Sequence, residues 1–178
     1  MSTHMEPQAG AKGFVKPDID APEKEVQFFK AVDLGELLFN LQHIEGFDSC
    51  VARLRGGDIE PTLTELDVAR LLFINDQLFW FVDPQKKIGD DYDFCAIFPG
   101  GDVACIEAKC NIETLDANSS TIKNSLNKAR GQLPPNRPGI IFVKLSPSWL
   151  TIPGFERITT GVARDFLRTT QRIVSVKY

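Results

Sequence analysis

Asp93, Glu107 and Lys109 are the residues of this chain whose types and spacing carry chemistry. They lie in the stretch 91–109, DYDFCAIFPGGDVACIEAK, which reads as a β-hairpin with acidic residues entering its first strand and Glu-x-Lys leaving its second. In an antiparallel pair those two ends lie side by side, so two carboxylates and an ammonium gather at one end of a sheet. A hard divalent cation takes oxygen ligands and keeps several waters, so two carboxylates and a main-chain carbonyl suffice to hold it beside a phosphate. The ion polarises the phosphoryl oxygen and acidifies a bound water, while a neighbouring ammonium orients that water or stabilises developing charge. Asp93 and Glu107 are the candidate ligands of Mg²⁺ or Mn²⁺, and Lys109 the candidate ammonium. Taken alone the pattern also describes a solvated strand end with a salt bridge of little energetic weight.

Pleat parity makes the arrangement specific. Val103, Cys105, Glu107 and Lys109 share one face of their strand. Asp93 joins that face only if it lies opposite an odd-numbered residue. A three-residue loop, Pro99-Gly100-Gly101, pairs Asp93 with Glu107 and Cys95 with Cys105, whereas a two-residue Gly100-Gly101 turn sets Asp93 opposite Ala108 on the wrong face. Both turns are compatible with the residues.

The flanking elements must position this hairpin. Residues 61–73 have a helical apolar stripe of Leu63, Leu66, Ala69, Leu72 and Phe73, with Asp58 or Thr62 near the start. Residues 78–82 (LFWFV) read as a buried strand. Residues 119–133 read as a second helix, capped by a Ser-Ser-Thr cluster, with Ile122, Leu126, Ala129 and Leu133 on one face and Pro134-Pro135 to stop it. A strand over 139–145, a helix over 159–167 and a strand over 172–178 complete the chain.

This order, a helix, three strands, a helix and a strand, resembles the common core of the PD-(D/E)xK nuclease superfamily, to which many restriction endonucleases belong. The likeness covers about half of the chain, from Pro61 to Leu145, and rests on Asp93, Glu107, Lys109 and the element order. It implies an α/β class with a restriction endonuclease-like core, a mixed central sheet flanked by helices in αβββαβ order. It further implies a metal-dependent phosphodiesterase acting on DNA in preference to RNA. The superfamily's first-helix glutamate maps onto Glu65, and the second-helix glutamine or lysine onto Gln132, with Lys128 one turn earlier. The chain departs from the pattern at Tyr92-Asp93, where the superfamily name has Pro-Asp, and Asp91 stands close enough to compete for the metal. The alternative is a nuclease-like domain that binds nucleic acid or assembles with partners without cutting.

Charge distribution bears on the partner. The net charge is −4, yet residues 119–178 hold 10 Lys plus Arg against 2 acids, while the first 118 hold 10 against 22. A basic second half beside an acidic metal site suits a phosphate backbone. Lys123, Lys128, Arg130 and Arg137, with Lys144, are the expected phosphate contacts. Simple charge balance between the two halves accounts for the same numbers. No base-reading motif is present.

The chain's 178 residues, 43% hydrophobic, suffice for a domain with a proper core. The reading divides it into a flexible lead (1–24), a helical extension (25–60) and the nuclease-like domain (61–178). The extension packs on the core or against a second copy, so a homodimer is an open arrangement. The four cysteines form no Cys-x-x-Cys pair and the two histidines are remote from them, which gives little support to structural zinc. No secretion signal opens the chain and no apolar run has the length to span a bilayer, so buried thiols in a reducing cytoplasm are the expectation. His43 reads as a packed or surface residue.

Overall fold

The structure, a computed structural model, describes residues 23–110 and 117–178. The proposed flexible lead lies almost wholly outside the described residues. Five strands form one mixed open sheet in the order β1-β2-β3-β4-β5: β1 (Leu78–Phe81), β2 (Phe94–Ile97), β3 (Val103–Cys110), β4 (Gly139–Lys144) and β5 (Ile173–Lys177). The first three are antiparallel neighbours, while β3, β4 and β5 run parallel. Helices α1 (Glu23–Leu41), α2 (Phe47–Arg55) and α3 (Ile59–Ile74) precede the sheet; α4 (Ser119–Gln132) joins β3 to β4, and α5 (Pro147–Leu150) and α6 (Phe155–Arg168) join β4 to β5. The chain is thus α/β, and α3 to β4 follows the expected order of helix, three strands, helix and strand.

The alternation of side chains across the sheet sorts the core into two layers. On one face Phe79, Phe81, Phe94, Ala96, Ala104, Ile106 and Ile140 pack with Leu37, Leu41, Phe47, Cys50, Leu66, Ala69 and Leu72 from α1 to α3. On the other, Cys95, Cys105, Ile141, Val143 and Ile173 pack with Ile122, Leu126, Ala129 and Leu133 of α4 and with Trp149, Phe155 and Phe166. Phe94 and Ile106, cross-strand partners at the centre of the first layer, are fully buried, and each such side chain contributes roughly 1.5–3 kcal/mol of burial. The helices before residue 61 therefore complete the core, with Leu41 and Cys50 fully buried within it.

The turn at the β2–β3 connection follows the three-residue reading. Phe98 N donates to Asp102 O and Gly101 N to Phe98 O, leaving residues 99–101 as the loop, and Cys95 pairs with Cys105. The paired register runs back to Phe94 opposite Ile106; Asp93, one residue earlier, donates its own N to Ile106 O, so the regular ladder stops there. Three details differ from the sequence reading. The N-cap of α4 is Asn118, whose side chain accepts from Thr121 N, rather than a member of the Ser-Ser-Thr cluster. Phe73 stands 41% exposed on α3, because a stripe of Leu66, Ala69 and Leu72 already fills the face toward the sheet. The α6 helix begins at Phe155, four residues before the expected start, following Gly154 at φ 78°.

One glycine brings α2 to the site. Gly46, at φ 80°, turns the chain between α1 and α2 against β1; a Cβ there would lie 2.5 Å from Phe81 O and 2.9 Å from Phe81 Cβ. Phe81 N donates to Glu45 O at 2.9 Å, so the turn docks on the end of β1. Only glycine combines that left-handed backbone with so close an approach.

Candidate active site

The ends of β1, β2 and β3 meet the first half of α3 and the last turn of α4 around a cavity of about 630 Å³, lined by Arg53, Glu65, Asp91, Asp93, Glu107, Lys109 and Gln132 among others. Asp93 lies one residue before β2. Its backbone is held on both sides, with Val82 N donating to Asp93 O at 2.9 Å and Asp93 N donating to Ile106 O at 3.0 Å. Its Oδ2 accepts from Ala108 N at 2.7 Å, so the carboxylate takes over a ladder position where β2 ends. This bond aims the side chain at the outgoing end of β3, where Glu107 and Lys109 project.

Glu107 is the most confined of the acids, 1% exposed. Lys109 Nζ lies 2.5 Å from its Oε1, while Oε2 is buried without a hydrogen-bond partner. An unpartnered carboxylate oxygen in a low-dielectric setting is costly, and it has the chemistry of a cation ligand. Lys109 Nζ also donates to Gln132 Oε1, and Gln132 Nε2 donates to Asp91 O at 2.9 Å. The amide of Gln132 thus bridges the site lysine to the entry of β2, with its orientation set by its two partners. Asp91 spends its own carboxylate differently, accepting from Lys86 N at 2.8 Å.

Glu65 reaches the site from α3, two turns into the helix, and is 7% exposed. Its Oε2 accepts from Arg53 Nη2, across from α2. Burial raises the Glu65 carboxyl to about 8, with the Asp93 carboxylate pushing in the same direction and Arg53 resisting. Burial likewise raises Asp93 to about 6, against the Ala108 hydrogen bond, Lys109 and Arg53. Glu107 is raised well above the ordinary carboxylate range, first by burial and then by Asp93, with Lys109 opposing and Glu65 adding to the rise. Three acids that resist ionisation together share one electrostatic environment. Cys50, packed beneath α2, is pushed up to about 12 by burial and by Glu65.

Among the described residues no three His, Cys, Asp or Glu side chains are grouped at ligating distance. Glu65 and Glu107 are engaged by Arg53 and Lys109 instead. The donor set nevertheless suits a hard cation: carboxylates of Asp93 and Glu107, an unpartnered oxygen on the latter, and Glu65 within the same cavity.

The structure brings Asp93, Glu107, Lys109, Glu65 and Gln132 to one cavity. It spreads the expected basic contacts. Lys128 lies one turn before Gln132 and lines a groove bordering the site. Lys123 faces a separate depression between α4 and α6, Arg130 stacks over Phe166 with its guanidinium carbon 5.6 Å from the ring centroid, and Arg137 lies in the α4–β4 connection, on a different cavity beside residues 87–90. Lys144 is paired with Asp67 at 2.8 Å. His43 is exposed on the turn after α1. Arg53 was not marked by any sequence signal: it sits in the last turn of a short helix, and the packing of α2 on α3 brings it to Glu65. No helix among the described residues is long and apolar enough to cross a membrane. Comparison with known proteins returns no matching family model, no matching curated protein and no matching solved structure.

Proposed function

We propose that this protein is a divalent-metal-dependent phosphodiesterase, a nuclease of the PD-(D/E)xK kind with a restriction endonuclease-like core, acting on DNA in preference to RNA. The observation that carries the reading is the buried, unpartnered Oε2 of Glu107 in a cavity where Asp93 and Glu65 also resist ionisation. A purely structural ion pair has no need of three mutually repelling carboxyls, since each costs several kcal/mol to bury unless compensated. Asp93 and Glu107 would hold Mg²⁺ or Mn²⁺, with Glu65 reaching it directly or through water. When bound, such an ion supplies Lewis acidity to a phosphoryl oxygen and lowers the pKa of a coordinated water.

The chain's own residues then do the following. Asp93 is held toward the site by Ala108 N, so its orientation is set before substrate arrives. Lys109 presents its ammonium at the cavity, steadied by Glu107 and Gln132. From there it orients the attacking water and stabilises the negative charge that builds as the water oxygen bonds to phosphorus and the bond from phosphorus to the leaving oxygen breaks. Gln132 acts through Lys109 as a positioning residue, anchored on Asp91 O. Arg53 holds Glu65 within the site cavity.

The test is incubation of the purified chain with plasmid and with single-stranded DNA plus Mg²⁺ or Mn²⁺. Nicking that EDTA stops and that Lys109→Ala greatly reduces is the expected result. Cleavage unchanged in Lys109→Ala would refute the assignment. Nucleic-acid binding without any cleavage would instead favour a nuclease-like domain that serves as a binding or assembly module.

A further inference from the structure

We propose that the β1–β2 loop, residues 82–93, is a clamp for an unpaired nucleic-acid strand, in which Lys86 and Lys87 hold phosphates beside the scissile bond and Ile88 packs against bases. This rests on the nuclease reading and assigns the substrate-binding element it leaves open. The loop is long, yet it is tied down. Gly89 N donates to Gly131 O at 2.8 Å and Asp91 N to Gln132 O at 3.1 Å, which dock it on the last turn of α4. Lys86 takes a left-handed backbone, φ 52°, that side chains seldom adopt, and the Asp91 carboxylate holds it there through Lys86 N. Strain of that kind costs of order 1–3 kcal/mol and persists where the surroundings enforce it, often at ligand clamps.

This docking leaves a groove of about 640 Å³ between the loop and α4, bordered by Lys86, Lys87, Ile88, Lys128 and, at its inner end, Lys109 and Gln132 of the site. Lys86 and Lys128 make no ion pair with another described residue, and Lys87 meets Asp90 only at 3.9 Å. Asp91, which also borders this groove, is committed to Lys86 N. The wall thus offers a polyanion three ammonium groups leading to the candidate catalytic lysine. Ile88 stands 93% exposed between them. An intact duplex offers such an apolar tip base faces only where a base step is unstacked, at a cost of about a few kcal/mol. A strand with unpaired bases gives it base faces, which favours single-stranded or locally opened substrate.

The experiment uses the full chain in Ca²⁺, with fluorescence anisotropy on a labelled single-stranded DNA oligonucleotide and on its duplex across a salt series. The wild type is expected to bind the single strand more tightly. The double substitution Lys86→Glu with Lys87→Glu should lower that affinity at least tenfold and flatten the logarithmic salt slope by about 1.4, at about 0.7 per lost phosphate contact on a single strand. Ile88→Ala should weaken single-strand binding by about fivefold with the slope unchanged, as loss of an apolar contact rather than a charge requires. Circular dichroism should be unaltered in both variants, and Mn²⁺ calorimetry in Ile88→Ala. An unchanged salt slope in the double variant, or equal binding of Ile88→Ala and wild type, overturns the clamp. If the wild type binds no Mn²⁺ and cuts nothing while the loop variants still lose the single strand, the nuclease reading fails and the clamp stands.

Discussion

Replacing Glu65 with glutamine should make the metal-free protein more stable at neutral pH than the wild type, by an amount that grows with pH. The glutamine keeps the size of the side chain and an oxygen to accept from Arg53, and removes only the ionisation. The Glu65 carboxyl is raised from 4.5 to about 8, chiefly by burial and then by Asp93, and that value already includes the opposing pull of Arg53. The sign follows from proton linkage. A carboxyl with a raised folded pKa binds protons more strongly in the native state, so its stabilising contribution is complete below the unfolded pKa and is lost as pH rises through the folded one. Each pH unit of that interval is worth about 1.4 kcal/mol for one proton, so between about pH 5 and about pH 7.5 the wild type should lose about 3 kcal/mol relative to Glu65→Gln. Glu107 works in the same direction, since Glu65 adds to its rise and the substitution relieves it. Urea denaturation of both proteins in EDTA, at fixed temperature over that pH range, measures the difference. Parallel stability curves, with a gap changing by less than about 1 kcal/mol, would refute the claim that Glu65 belongs to a strained acidic site.

Three further outcomes are expected. Divalent cation should reverse this pH trend in the wild type, because ligation requires the ionised carboxylates and displaces their protons; the thermal shift on adding Mn²⁺ should grow from about pH 5 to about pH 8 and be small in Glu107→Gln. Gln132→Leu should lower kcat by roughly 10- to 100-fold through a misplaced Lys109 while leaving Mn²⁺ affinity within about threefold, as calorimetry and cleavage kinetics together would show. Gly46→Ala should cost at least about 2 kcal/mol, since it combines a left-handed backbone with a contact against Phe81 O, whereas Gly57→Ala, also at positive φ but facing open space, should cost about 1 kcal/mol by urea titration.

Elements whose information is local were legible in the residues. The period of Leu66, Ala69 and Leu72 marks α3, Pro134-Pro135 ends α4 within a residue, and pleat parity narrowed the β2–β3 turn to two registers, of which the structure takes the three-residue loop that sets Cys95 opposite Cys105. What stayed hidden depends on contacts between distant segments. Arg53 meets Glu65 because α2 folds back onto α3, and nothing in VARLRGG marks Arg53 rather than Arg55 for that role. The four-residue α5 spans barely one helical turn, too little for a repeating apolar face to show. The basic second half was legible as charge but not as a surface, since Lys144 turns to Asp67 and Arg130 to Phe166 while Lys86 and Lys87, from the acidic half, border the groove.

The central claim, that the hairpin end is a metal site, is tested most directly by crystals of the wild-type chain soaked in Mn²⁺ and measured at the manganese absorption edge. The account predicts one strong anomalous peak between the carboxylates of Asp93 and Glu107, with Glu107 Oε2 among its ligands at about 2.2 Å and Lys109 still within reach of Gln132. A map with no peak at that position under saturating Mn²⁺, or a peak held by other residues while Glu107 keeps its pairing with Lys109 alone, would contradict it.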